Sequence, residues 1–294
     1  MIEIRRGKPD DSRPAFDVSM SAMRDLFARQ EIEWTLDPES FWTLMEPIMT
    51  HLASHAAEWW VAEDPSDASL VGYARSIERG GLIELSEFFV RPDRQSAGLG
   101  GRLLERAFAP GRGEVRVIIA TSDLRGLARY YRAGTVARLP MASLTGQAQP
   151  TVPGELEAVS ATLDDVAEVA SIEQAVMGYP RHKEYPWLFQ HREAFLYRRG
   201  GRAVGFAFVG DAGQGPIAAL DPADQAPILL HVEGHAHARG VQSVSFEVPM
   251  INEVVMRHLL GRGYRIEPPL NHLMSNVPFE RFDRFIAFGP SIFL

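Results

Sequence analysis

The feature that most constrains this chain is that it repeats itself. "GQAQPTVPG", residues 146–154, sets two prolines and two glycines among polar residues, the composition of a linker. It cuts the 294 residues almost in half, and the halves echo each other. "LVGYARSIERGGLIEL" (70–85) resembles "AVGFAFVGDAGQGPIAAL" (203–220); both read as strand, turn, strand. Later in each half a polar residue stands eleven positions before a glycine, Asp123 before Gly134 and Asn252 before Gly263. A helical stretch lies between, and a glycine past a helix end supplies a left-handed cap. Two domains of ordinary size follow, 1–146 and 155–294, joined by 147–154.

Within the first half, apolar residues recur at helical spacing over 11–30 and 39–57. "WWVAED", "LVGYARSIE" and "LIELSEFFV" read as strands, then "LGGRLLERAF" as a helix, "EVRVIIAT" as a strand and "LRGLARYY" as a helix. This is a mixed α/β (α+β) order: an antiparallel meander, then a strand–helix–strand crossover. The expected fold is a mixed, mostly antiparallel central sheet flanked by helices in each half.

The net charge is −8, which argues against bulk binding of nucleic acid or an anionic membrane. Between Arg91 and Arg138, however, ten arginines face four acids, a local charge of +6. Cysteine is absent, which excludes disulfides and thiolate chemistry and fits a cytoplasmic protein. "MIEIRRGKPDD" has no apolar signal-peptide core, and no apolar run is long enough for a membrane span.

The positive segment opens on "RPDRQSAGLGGRLLERAF" (91–108), which runs from a strand into a helix. A helix start presents unpaired N–H groups and the positive end of its dipole. Glycines there let a ligand approach the backbone, so Gly98, Gly100 and Gly101 make an anion site suited to a pyrophosphate. It is not a Walker A loop, because no lysine follows the last glycine, and Leu103 stands where a dinucleotide fingerprint needs its third glycine.

"VRPDRQSAGLG" (90–100) resembles the V-x-P-x-x-[QR]-x-x-G-x-G/A signature of the GNAT superfamily of acetyl-CoA-dependent N-acyltransferases. "DLRGLARYYRAG" (123–134) resembles the family's next motif, N-x-x-A-x-x-x-Y-x-x-x-G, with Asp123 for Asn and Gly126 for Ala. The resemblance covers nearly all of the first half. It implies that backbone N–H groups across Ser96, Ala97, Gly98, Leu99, Gly100 and Gly101 hold the coenzyme A pyrophosphate. It implies further that Phe88 and Val90 pair with the pantetheine arm, between strands that splay apart to admit it. The motif positions Gln95 and Asp123 join this set. Arg94, Arg102 and either Arg125 or Arg129 are candidates for the nucleotide phosphates.

Acyl transfer from a thioester to an amine needs the amine deprotonated, the carbonyl oxygen's developing charge stabilised and the departing thiolate met by a proton donor. The family tyrosine falls on Tyr130, with Tyr131 beside it as the alternative. Glu84 and Glu87 are the candidate bases; Glu84 matches the glutamate of histone-modifying members, and Glu87 is nearer the acyl end. Three apart, they lie on opposite faces of a regular strand unless a bulge intervenes. The N–H of Phe89 or Val90 is the candidate for polarising the carbonyl. Trp34 and Phe41 are candidates for the acceptor pocket.

Aligning Val71-Gly72 on Val204-Gly205 sets Ile217 against Glu84 and Leu220 against Glu87. The glycine loop becomes "DPADQAPILLHVEG", and Leu259 replaces the tyrosine. The second half therefore reads as a degenerate GNAT-like domain with a structural or acceptor-shaping role. His231 and His235 share a helix face but lack H-E-x-x-H spacing, and no metal is expected. "FERFDRFIAF" alternates aromatic and charged residues and reads as core packing. The expected activity is transfer of an acetyl group to the primary amine of a small acceptor, by a monomer or homodimer. The alternatives are an acyl-CoA-binding regulatory module and a protein-lysine acetyltransferase.

Overall fold

The computed structural model describes residues 2–95, 98–152, 154–210, 213–278 and 281–290. In chain order the first elements are β1 (Glu3–Arg6), α1 (Ser12–Arg29), α2 (Pro38–His55), β2 (Glu58–Asp64), β3 (Ser69–Arg79), β4 (Leu82–Val90), α3 (Leu99–Ala107), β5 (Val115–Thr121) and α4 (Leu124–Arg132). Then come β6 (Val136–Gln147), β7 (Glu157–Ala161), α5 (Val166–Met177), α6 (Tyr185–His191), β8 (Glu193–Arg199), β9 (Arg202–Val209) and β10 (Ile217–Ala219). The last are α7 (Gln225–Ala238), β11 (Ser243–Pro249), α8 (Glu253–Gly261), β12 (Arg265–Ser275) and β13 (Phe285–Ala287). Mixed, mostly antiparallel sheets flanked by helices are the fold. No helix among the described residues is long and apolar enough to cross a membrane.

The chain forms two compact units. The first runs to Val136 and takes in Met274–Val277; the second is Ala137–Leu273 with the chain from Pro278 on. The boundary therefore lies ten residues before the linker-like 146–154, and β6 belongs with the second unit. Composition marks a flexible stretch, whereas a strand's allegiance is decided by its hydrogen-bond partner. The first unit's sheet runs β1–β2–β3–β4–β5 and is completed by the end of β12. Asn276 ties that end down: its N–H donates to the Arg116 carbonyl at 3.2 Å, and its Oδ1 accepts from the Arg116 N–H at 2.7 Å. The second unit holds β12–β6–β11 and a five-stranded array, β13–β10–β9–β8–β7.

In the first unit the core lies on both sheet faces. α3 buries Leu99, Leu103, Leu104 and Ala107 against Ala62, Val71 and Ala74, while its Arg102 and Arg106 stay exposed. That one-sided spacing makes a surface helix. On the other face Ala15 and Val18 of α1 pack on Val61, Leu70 and Tyr73. The alternation along β2 and β3 sends successive side chains to the two layers.

The repeated polar-to-glycine spacing corresponds to capped helices. Asp123 accepts from the Arg125 N–H at 3.0 Å to cap α4, and Asn252 accepts from the Val255 N–H at 3.2 Å to cap α8. Gly134 and Gly263 follow with φ of 85° and 88°, the left-handed conformation that ends a helix.

Candidate active site

Strand β4 builds most of the site. It pairs antiparallel with β3, with Gly72, Tyr73, Ala74 and Arg75 opposite Val90, Phe89, Phe88 and Glu87. The next pair is Ser76 with Leu85, so Ser86 is an extra residue, a β-bulge. The bulge changes the parity of the strand. Glu84 stands opposite Ile77 and Glu87 opposite Arg75, so the two glutamates share one face.

The same face does not mean the same surroundings. Glu84 is 1% exposed and paired with Arg79 at 2.8 Å, in a buried ion pair near the β3–β4 turn. It is not among the residues that line the cavity described below. Glu87 does line the cavity. Tyr73 donates its hydroxyl to Glu87 Oε1 at 2.8 Å, and the fully buried Arg75 stands 2.6 Å from Oε2. Arg75 is held in turn by the Met49 carbonyl at 3.2 Å and by the Trp59 ring, 4.4 Å from its guanidinium carbon. Burial and the Glu87 charge push the Tyr73 phenol well above its ordinary range. Sequence reading missed Tyr73 and Arg75. Their signal is the pattern Tyr-x-Arg on β3, which the hairpin folds onto Glu87.

β4 runs parallel to β5 only over a short stem: Leu82, Ile83 and Glu84 pair with Val115, Arg116 and Val117. Beyond it the strands fork, and Leu85–Val90 with Ile118–Thr121 wall a cavity of about 190 Å³. The Arg91 N–H donates to Val71 at 2.9 Å, toward β3. In an antiparallel ladder main-chain groups alternate sides, so Phe89 also faces β3 while Phe88 and Val90 face the fork. This removes the Phe89 N–H from the candidates for polarising a carbonyl and leaves Val90. The Gln95 side chain donates to the Val90 carbonyl at 2.9 Å and ties the following loop to the strand.

Ser96 and Ala97 lie outside the described residues. Gly98, with φ of 79°, caps α3 in the left-handed region that glycine tolerates. The Arg102 N–H bonds to the Gly98 carbonyl at 3.3 Å, which sets the amides of Leu99, Gly100 and Gly101 ahead of the helical ladder. A Cβ on Gly100 would come within 3.0 Å of the Phe88 ring and 3.4 Å of the Arg129 guanidinium carbon. The helix start, the fork and a cation thus converge at Gly100.

The candidate cations separate. Arg129 lines the cavity. Arg125 also lines it but pairs with Asp25 at 3.2 Å. Arg94 pairs with Asp64 at 3.1 Å, and Arg102 is exposed on α3. Asp123 lines the cavity and receives Arg29 at 3.3 Å. Of the two tyrosines, Tyr130 is buried on the cavity wall and meets the Phe88 ring edge-on at 6.1 Å, while Tyr131 is half-exposed. Burial, then the Asp123 carboxylate, push the Tyr130 phenol above its ordinary range. Ala22, Met23, Leu26 and Phe27 of α1 form an apolar wall of the cavity. Trp34 and Phe41 are not among the lining residues: Trp34 packs on Phe27 at 5.4 Å and Phe41 on Phe16 at 5.8 Å.

Residues 20–134 match the model of the acetyltransferase (GNAT) family. The chain carries a GNAT-family domain. No curated protein matches the sequence. Among solved structures, a protein of Pyrococcus horikoshii assigned as an acetyltransferase shares 16% identity at a TM-score of 0.74, over 97% of this chain and 93% of that one. A GCN5-related N-acetyltransferase from Sphaerobacter thermophilus shares 15% at 0.58, over 98% of each chain. A tandem GNAT protein from the clavulanic acid biosynthesis pathway shares 13% at 0.61, over 95% of this chain and all of that one. At these identities the likeness is one of fold, and it extends the GNAT arrangement to both halves. Acyl transfer is the chemistry that the GNAT family and this fold support.

In the second unit the imidazoles take protein partners. His231 Nδ1 lies 2.9 Å from the Tyr197 hydroxyl, and His235 Nε2 lies 2.9 Å from Glu193. No group of three potential metal ligands occurs among the described residues.

Proposed function

We propose that the protein is an acetyl-CoA-dependent N-acetyltransferase acting on the primary amine of a small acceptor, with the chemistry confined to the first unit. The observation that carries this reading is the fork between β4 and β5. Main-chain groups of Phe88 and Val90 face a cavity that begins at a glycine-lined helix start and ends at a buried tyrosine. A pantetheine arm is an extended chain of amides and suits the open edge of β4. A pyrophosphate suits the amides of Leu99–Gly101 and the positive end of α3. Arg129 is placed for a phosphate beside them, with Arg102 exposed on the same helix start. The residues present therefore fit acetyl-CoA, which supplies the thioester to be cleaved.

The roles of the chain's own groups follow. The Val90 N–H donates to the thioester carbonyl oxygen and stabilises the negative charge that develops there; one such donor is typically worth about 3 kcal/mol. Glu87 takes a proton from the acceptor ammonium, directly or through one water. Arg75 and Tyr73 fix its carboxylate. The amine then forms the new N–C bond, the C–S bond breaks, and the Tyr130 hydroxyl protonates the departing thiolate; the second proton shed by the nitrogen as it becomes an amide restores the Tyr130 hydroxyl. Its raised pKa keeps that hydroxyl protonated at neutral pH. The apolar α1 wall excludes water and favours an acceptor with a hydrocarbon body next to its amine. Glu84 has no step here. The second unit serves as structure.

The test is release of free thiol from acetyl-CoA in the presence of an amine panel, with product identified by mass. Coenzyme binding without turnover against any amine, unaffected by Tyr130→Phe, would assign a binding module instead. Turnover confined to lysine-bearing peptides would shift the acceptor class to proteins.

A further inference from the structure

The second unit contains the same fork, and it is filled. The equivalence is fixed by one hydrogen bond in each unit: the Arg91 N–H donates to Val71 at 2.9 Å, and the Leu220 N–H donates to Val204 at 2.8 Å. Gly205 pairs with Ala219 as Gly72 pairs with Val90. The same register sets Ile217 against Phe88, not Glu84, so the alignment on Val-Gly slips by four residues along this strand. A parallel bridge from Gln214 to Phe246 makes the stem, as the Leu82–Glu84 pairing does in the first unit. Beyond it β10 and β11 separate, and the chain's own C-terminal segment, Arg284–Phe288, lies in the gap.

The segment is bound on both sides and at the base. The Ala219 N–H, counterpart of the Val90 N–H, donates to the Arg284 carbonyl at 3.1 Å. Ile217 and Ala218 pair with Ala287 and Phe285. On the other side the Phe288 N–H donates to the Glu247 carbonyl at 2.8 Å. Asn252, counterpart of Asp123, caps α8 with Oδ1 and donates through Nδ2 to the Phe285 carbonyl at 3.1 Å. The Asp123 carboxylate carries no N–H and cannot make that second bond. Phe285, Ile286, Ala287 and Phe288 are all at most 1% exposed, and the Phe285 ring is backed by the guanidinium of Arg181, which pairs with Glu173.

We infer that the second unit's fork is a binding slot for an extended peptide, and that its ligand is the segment Arg284–Phe288 of the same chain. The parallel with pantetheine rests on the function proposed above; the slot and its occupant do not. The ligand's carbonyls and amides replace those that an amide-bearing arm would offer to the same strand edge, and its aromatic side chains fill the space around it. Tethering raises the occupant's effective concentration to about the millimolar range, so a free arm competes poorly. The helix start beside this fork carries Asp221 and Asp224 in place of glycines, which opposes a pyrophosphate. On the function proposed above, this fork is not a second coenzyme site.

The test is complementation. A chain ending at Val277 is mixed with a synthetic peptide of residues 279–294 or with a scrambled version, and melting is followed. The truncated chain is expected to melt below the full chain and to be restored by the native peptide alone. An unchanged melting temperature on truncation, or a folded truncated chain that ignores the peptide, would overturn the inference. If the truncated chain does not fold, the full chain with Asn252→Asp is read by hydrogen exchange. The cap acceptor is kept and the donor to Phe285 is lost, so exchange at Phe285–Phe288 should rise about fivefold or more, confined to that segment. Unchanged exchange there would overturn it equally. Failure of the full chain to bind acetyl-CoA would refute the coenzyme reading and leave the peptide result standing, so the two failures are distinguishable.

Discussion

The two forks differ in what closes them. In the first unit β4 and β5 part after a three-pair stem and leave a cavity lined by Phe88, Val90 and Tyr130. In the second unit β10 and β11 part after a single bridge, and residues 284–288 hydrogen-bond to both. A splayed strand pair exposes main-chain donors and acceptors that must be satisfied. The second unit performs that task with its own chain; in the first, the function proposed above gives it to the coenzyme. One pair of side chains summarises the difference: that of Asp123 only accepts, whereas that of Asn252 also donates to the carbonyl of the occupant.

The largest effect on coenzyme affinity expected from breaking this contrast is at the open helix start. Gly98→Glu places a side chain at a left-handed position and a negative charge where the pyrophosphate is proposed to sit. Acetyl-CoA affinity by calorimetry should fall by about a hundredfold or more, about 2.7 kcal/mol. Unchanged affinity would remove the loop from the site.

Next is the buried pair that does not belong to the cavity. Glu84→Gln leaves Arg79 buried without its counter-charge and should lower unfolding free energy by about 3–5 kcal/mol. Coenzyme affinity at a temperature where the variant stays folded should be retained. A loss of affinity without loss of stability would return Glu84 to the site.

Tyr130→Phe removes the proposed donor while keeping the ring against Phe88. A fall in kcat of about a hundredfold is expected, at the lower end of general acid–base contributions. Tyr131→Phe, at the exposed neighbour, should leave kcat unchanged. An unchanged kcat for Tyr130→Phe would mean the ring, not the hydroxyl, matters.

The smallest effect is in the pH profile. Tyr130 has its phenol raised above the ordinary value of 10 by burial and by Asp123. A raised value keeps the proton on as pH climbs, so kcat should show no loss centred near 10 that Tyr130→Phe abolishes. Such a loss would show a solvated phenol and a different donor.

Much of the first unit is written locally. Alternating apolar residues give β2, β3 and β4, the Gly98-x-Gly100 loop marks the start of α3, and the Asp123-to-Gly134 spacing marks both ends of a helix. What stayed hidden depends on partners distant in sequence or on backbone irregularity. The Ser86 bulge, which puts Glu84 and Glu87 on one face, has no signal in residue type. The division of labour between those glutamates follows from Arg79 and Arg75, residues of the neighbouring strand. "FERFDRFIAF" is legible as core, but its apolar residues do not say that their backbone completes a fork. The Val-Gly alignment misplaces β10 because the second hairpin has shorter paired arms: Gly205 meets Ala219 14 positions on, whereas Gly72 meets Val90 18 positions on.

The strand that finishes the first unit comes from residues 274–277, and Asn276 reaches back across 160 positions to Arg116. A nascent chain leaving the ribosome can form β1 to β5 early, yet the outer edge of β5 stays bare until residues 274–277 have emerged. The first unit is therefore begun first and completed last, with an exposed strand edge to be shielded from other chains during synthesis.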